Sequence, residues 1–190
     1  IARRQRQMCI RDRVHMGNTV AVWGVGGVGA HLVQLSKLAG AVPVIAVDLN
    51  DAVLERAKRL GADYAFRSDD PDLMKKIEDI TDGRMVDIAF DAVGIQPTLR
   101  ACVESLDING KAVSIGLSPQ NIDAGTFLEF NLKKKQLLGH LGYKRQDIAR
   151  LADMLSYGRL DLTESISKII PLTDIKQGID DLENLSLIHI

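Results

Sequence analysis

The sequence predicts a doubly wound α/β fold, a mostly parallel sheet covered by helices on both faces. Three observations carry this. Apolar β runs alternate with segments of helical periodicity along most of the chain. The first run, residues 19–23, breaks into Gly24, Gly26, Gly27 and Gly29 and resumes at once as an apolar helix. A second run, residues 42–47, ends in Asp48, roughly 20 residues past that turn. Alternation of this kind buries strands between two helical layers, and right-handed crossovers then give the strand order 3-2-1-4-5-6.

Taken in order, the first helix is expected over 28–39, with Val28, Leu32, Leu35 and Leu38 on one face and Gly40 as its stop. Asn50 or Asp51 can cap a second helix. Its buried stripe is Val53, Leu54, Ala57 and Leu60, and Glu55, Arg56, Lys58 and Arg59 form its solvated face. Residues 62–66 read as a short third strand. Asp70 caps a third helix with Pro71 at its first position, and Leu73, Met74, Ile77 and Ile80 face inward. Residues 86–91 make the fourth strand, and Pro97 opens a helix carrying Leu99, Cys102, Val103 and Leu106. Asn109-Gly110 turns into a fifth strand over 111–115, and after a loop over 118–125 comes an apolar run over 136–141. A helix over 146–157 has Ile148, Leu151, Ala152 and Leu155 inward. A short strand over 167–170 and an amphipathic helix over 173–185 close the series.

Gly24, Gly26 and Gly29 fit G-x-G-x-x-G, which taken alone also fits an ordinary glycine-rich turn. The first glycine lets the strand turn sharply, the second lets backbone approach a pyrophosphate, and the third lets helix pack close to strand. Phosphates would sit on free N–H groups near Val28 and Gly29, at the positive end of the helix dipole. Asp48 stands where a carboxylate would take the ribose hydroxyls of a dinucleotide. In the predicted topology the loops after strands one, two, four and five open onto one crevice.

Almost half of the residues, 46%, are apolar, enough for a full core, and a net charge of −1 gives no footprint for nucleic acid or an anionic membrane. The two cysteines, Cys9 and Cys102, form no C-x-x-C pair, which fits a reducing cytoplasm. No apolar run reaches the ~18 residues a membrane span needs. The N-terminal stretch IARRQRQMCIRDR and the tail SLIHI resemble translated sequencing-adaptor read-through. Residues 1–16 and 186–190 are therefore expected to be non-native or disordered, with the natural chain cut at each side.

With these elements in place the chain resembles the cofactor domain of the medium-chain dehydrogenase/reductase superfamily, of the zinc-type alcohol dehydrogenase kind. The markers are VAVWGVGGVGAHLVQLSKLAGA, VIAVDLNDAVLERAKRLGADYA, VDIAFDAVG and NGKAVSIGL. LLGHLGYKRQDIARLADMLSYGRLDL and ISKIIPLTDIKQGIDDLENL follow them. The resemblance covers residues 17–185. It implies an NAD-binding Rossmann domain over 17–164 and a strand and helix over 165–185 that return toward an absent catalytic domain. By position, Gly24, Gly26, Gly27, Val28 and Gly29 would hold the pyrophosphate of NAD. Asp48, with Leu49 beside it, would hold the adenosine ribose. Ala92 and Val93 would border the adenosine side. Ile115, Gly116 and Leu117 would meet the nicotinamide ribose and carboxamide through backbone groups. Many members carry a basic residue five positions after the ribose acid; here that position is Val53.

The function so implied is hydride transfer between an alcohol or carbonyl substrate and NAD. Zinc belongs to the full-length protein only, and no catalytic or metal-ligating residue is assigned within this chain. The chain as given is expected to bind cofactor without turnover, and to form a homodimer through residues 121–141, or a homotetramer. A zinc-free NAD(P)H-dependent quinone or enone reductase of the same superfamily is the main alternative. Asp48 argues against it, because a carboxylate repels a 2′-phosphate. A non-enzymatic nucleotide-sensing module and a methyltransferase share the glycine turn. Among single residues, Cys102 reads as a buried small hydrophobe, His31 as helix surface, and His140 as a strand residue near the nicotinamide end. Lys133, Lys134 and Lys135 read as a solvated turn, and Met74 and Met154 as core. Asp91 either enters the crevice or caps the turn that follows it.

Overall fold

The computed structural model describes residues 14–143, 145–166 and 168–183. Cys9 and the two terminal stretches singled out in the sequence lie wholly or largely outside them. Six parallel strands form one sheet in the order β3-β2-β1-β4-β5-β6, as the sequence predicts. They are β1 (Val20–Trp23), β2 (Val44–Asp48), β3 (Tyr64–Arg67), β4 (Val86–Asp91), β5 (Leu106–Ser114) and β6 (Gln136–Gly139). The helices are α1 (Gly27–Leu38), α2 (Asp51–Arg59), α3 (Leu73–Ile80), α4 (Gln96–Glu104), α5 (Phe127–Leu132), α6 (Arg145–Ser156) and α7 (Ile175–Glu183).

The central strands are buried on both faces, which is why they read as continuous apolar runs. Their side chains alternate between two cores. Val20, Val22, Val44, Ala46, Ile88 and Phe90 meet Val33 of α1 and Leu54 and Ala57 of α2. Ala21, Trp23, Ile45, Val47 and Ala89 meet Leu73 and Ile77 of α3 and Cys102 and Val103 of α4. Register places Val22 between Ala46 and Phe90, so the C-terminal ends of β1, β2 and β4 come level at one edge.

Several expectations are corrected. Helix α3 starts two residues late, because the Asp70 carboxylate accepts the Asp72 N–H and makes a turn instead of a cap. Strand β5 starts at Leu106, opposite Val86. Asn109, at φ 62°, lies inside it at an irregularity in the β4–β5 ladder, so Asn109-Gly110 acts as a bulge and not as the turn before the strand. Helix α5 was not foreseen, although Thr126 and Glu129 spell a capping-box start and the Thr126 hydroxyl accepts the Glu129 N–H. Lys135 is buried, not solvated: its ammonium donates to the Val103 carbonyl and to Glu129 Oε1, both at 2.8 Å. In α6 the expected inward stripe is only partly covered, with Ile148 and Leu155 exposed and Leu151 and Met154 half-buried. Residues 168–170 form no strand, and the last helix begins at Ile175 behind a 3-10 turn, Leu172–Asp174. Cys102 is fully buried, and burial pushes its thiol pKa well up.

Phe90, on β4, one of the two central strands, is fully buried in the first core. Phe90→Ala is expected to cost about 3–5 kcal/mol of folding stability. Urea unfolding should show a lower midpoint with an unchanged slope.

Candidate functional site

The site grows from the glycine turn at the C-terminal end of β1. Gly24 has φ +82°, a region that strains any residue with a Cβ, and its N–H donates to the Val47 carbonyl at 2.8 Å. A Cβ on Gly29 would fall 1.8 Å from the Gly24 carbonyl oxygen, so only glycine lets α1 start this close to β1. Gly26 is the N-cap of α1 and supplies no side-chain bond, and the first turn carries no acidic residue. The helix therefore keeps unsatisfied N–H groups and its positive dipole end for an anion.

Asp48 ends β2 beside this turn. Its Oδ2 accepts the Val25 N–H at 2.8 Å and its Oδ1 accepts the Asn50 N–H at 3.0 Å. Both oxygens retain lone pairs for further donors, such as vicinal hydroxyls. Asn50 caps α2 by accepting the Ala52 N–H. Arg56 of α2 corrects the sequence reading. It is only 6% exposed and donates to the carbonyls of Val25 at 3.1 Å and Gly26 at 2.7 Å. Burial lowers its pKa below the ordinary arginine range, and the charges of Glu164 and Asp48 oppose that shift. Its spacing was a usable signal: Val53, Arg56 and Leu60 fall on one helical stripe.

A third wall comes from the loop after β4. Asp91 is fully buried and closes its own turn, its Oδ1 accepting from the N–H groups of Val93 and Gly94 and from the Thr98 hydroxyl. Asp91 thus closes the turn that follows it, and it also lines a cavity there with Gly94 and Gly116. The loop after β5 is pinned against it, since a Cβ on Gly116 would meet the Gly94 nitrogen at 2.1 Å.

Gly24, Gly26, Gly27, Val28, Gly29, Asp48, Leu49, Ala92 and Val93 line one cleft of about 550 Å³, together with Trp23, Val47, Ser68, Ile95 and Thr98, which the sequence reading did not single out. Gly116 and Leu117 line a neighbouring cavity of about 220 Å³ that shares Ile95 with the cleft. Ile115 packs on the first core. The N–H groups of Ile115 and Gly116 both go to the Asp91 carbonyl, so these two residues offer a ligand carbonyl oxygens and not donors. His140 follows β6 at the same sheet edge, its N–H donating to the Ser114 carbonyl. Among the described residues no three His, Cys, Asp or Glu side chains gather as metal ligands.

His31 is neither plain surface nor in the cleft. It is half-buried on α1, with its Nε2 3.0 Å from the Ser165 hydroxyl. Burial, and then the Arg56 charge, hold its pKa below the ordinary 6.5. The unfolded chain therefore takes up this proton at a higher pH than the folded one. The contribution is intact above 6.5 and is lost as pH falls below it toward the folded value. Stability is expected to decline as the pH is lowered through this window. His31→Gln should flatten the decline in melts recorded across it.

Residues 27–157 match the family model described as zinc-binding dehydrogenase. An NDMA-dependent alcohol dehydrogenase from Amycolatopsis methanolica is 32% identical over 178 residues, which cover 90% of this chain and 48% of that protein. An NAD-dependent alcohol dehydrogenase from Saccharolobus solfataricus is 30% identical, over 90% of this chain and 48% of that one. Among solved structures, benzyl alcohol dehydrogenase from Acinetobacter calcoaceticus superposes with a TM-score of 0.85 at 28% identity, over 95% of this chain and 51% of that one. The chain thus spans about half the length of the curated relatives it matches. The ordered glycine turn, the acid that ends β2 and a family match that runs from the start of α1 past the end of α6 lead to one assignment: the chain belongs to the zinc-binding dehydrogenase family.

Proposed function

We propose that the cleft holds NAD and that this chain is the cofactor-binding part of an oxidoreductase acting on alcohols or carbonyls. The observation that carries this is an uncapped helix start and a carboxylate facing one cleft, anion site and hydroxyl site side by side. In this reading the N–H groups of Gly27, Val28 and Gly29 take the diphosphate. Asp48 accepts from the adenosine ribose hydroxyls, with Leu49 at the rim. Ala92 and Val93 border the adenosine side, and the carbonyls of Ile115 and Gly116, with Leu117, face the nicotinamide side. The cofactor, when bound, supplies the hydride acceptor or donor at its nicotinamide ring. This chain's residues bind it, orient it, and shield one side of it with the pinned loops at Gly94 and Gly116. The described residues do not fit zinc, since no ligand set gathers among them. No step is therefore assigned to a metal held here.

The residues over 17–164 form the cofactor-holding unit in this reading, and those over 165–185 serve packing beyond it. Among the described residues no helix is long and apolar enough to cross a membrane. The buried, unpaired Cys102 suits a reducing cytoplasm, where we place the protein.

Asp48 offers only repulsion to a 2′-phosphate, and Leu49, Asn50 and Asp51 supply no cation beside it. NADH is expected to bind at least ~10-fold more tightly than NADPH, and Asp48→Asn should narrow the gap. Titration of the fluorescence of Trp23 with both cofactors measures this, and equal or tighter NADPH binding would overturn it.

We also propose a homodimer through residues 121–141. Phe127, Leu128 and Leu132 of α5 are exposed beside β6, which is an edge strand of the sheet. Pairing such edges about a two-fold axis covers both at once. Sedimentation at micromolar concentration is expected to give a dimer, and Leu128→Lys a monomer.

A further inference from the structure

Four of the six residues from Gly24 to Gly29 are glycines. Glycine has no side chain to select a conformation, so the shape of this turn must be imposed from outside. Two side chains impose it. Asp48 takes the Val25 N–H from the β2 side, and Arg56 takes the Val25 and Gly26 carbonyls from the α2 side. Gly26 is the N-cap of α1, and its carbonyl also accepts the first helical bond, from the Ala30 N–H at 3.1 Å. The guanidinium thus sets the peptide plane on which the helix start is built.

We propose that Arg56 is the positioning residue of the glycine turn. It orients the free N–H groups at the start of α1 toward a diphosphate and places a positive charge behind them. The proposal rests on reading the cleft as a dinucleotide site. Packing alone is a poor account of Arg56. It occupies the stripe between Val53 and Leu60, where an apolar side chain would bury more cheaply than a guanidinium. Its Nε is buried and has no hydrogen-bond partner. What the arginine adds over an apolar residue is the pair of bonds to the turn, and a charge that Glu164 and Asp48 attract.

The test uses the full chain with Arg56→Met, and with Arg56→Gln as a polar variant that keeps an amide donor in case the first does not fold. NADH binding is read from quenching of Trp23, the single tryptophan. ADP-ribose and adenosine are then used as competitors with and without the diphosphate. Either folded variant is expected to bind ADP-ribose roughly 10-fold to 100-fold more weakly, with adenosine affinity changed by no more than about twofold. A residue that only supports the fold would weaken both ligands in proportion. That result, or unchanged ADP-ribose binding, would overturn the proposal. If the unaltered chain bound neither NADH nor ADP-ribose, the dinucleotide reading itself would fall, and this proposal with it.

Discussion

The backbone of Val25 is held at both of its polar groups, and the architecture of the cleft depends on that grip. Its N–H goes to Asp48 at the end of β2, and its carbonyl goes to Arg56 in α2. A strand that runs straight into a glycine-rich turn has many conformations open to it, and ordering them costs entropy at every glycine. Here the cost is met by partners that are themselves fixed. Asp48 lies in register with Arg67 of β3, and Arg56 sits on a helix packed into the first core. The turn is thus tied to both β2 and α2, although nothing in its own sequence makes it so.

Close backbone approach does at the other wall what hydrogen bonding does at this one. The loops after β4 and β5 meet at Gly94 and Gly116 with no room for a Cβ on either. Asp91 ties the two together, its carboxylate closing the first loop and its carbonyl accepting from the second. Burying a carboxylate in this way is costly unless it is bonded; Oδ1 accepts three donors, while Oδ2 is buried with no hydrogen-bond partner. The two walls differ in what they can offer: donors and a dipole at the glycine turn, carbonyl oxygens and apolar side chains opposite.

Behind the glycine turn, the segment after α6 is strapped across α1 and α2. Leu160 is buried, Gln34 donates to the Asp161 carbonyl, Ser165 meets His31, and Arg59 pairs with Glu164 at 2.8 Å. Each exposed contact is worth little by itself, and the buried leucine anchors the set. The strap reaches the helix that carries Arg56, so the chain that leaves the cofactor unit is mechanically close to the turn. Beyond it, Ile169, Leu172 and Ile175 are exposed.

Much of this was legible in the sequence because it is periodic or steric. Strands buried on both faces must be apolar throughout, helices beside them must carry a stripe, and a turn this tight must be glycine at Gly24 and Gly29. These constraints fix strand order, the glycine turn and the place of Asp48 without reference to distant residues. Boundaries and exceptions were not legible, since they depend on partners far along the chain. Arg56 and Lys135 look like surface charges until tertiary structure supplies carbonyls for them to bind. Helix α6 looks amphipathic, yet periodicity says only that a face is apolar, not that anything covers it. Gly116 follows the fifth strand as expected, and Ile115, expected at that strand's end, lies just past Ser114; only the fold decides that the N–H groups of both are already taken by the Asp91 carbonyl. A sequence determines which groups a residue carries; which of those groups remain free for a ligand is decided by what the folded chain brings against them.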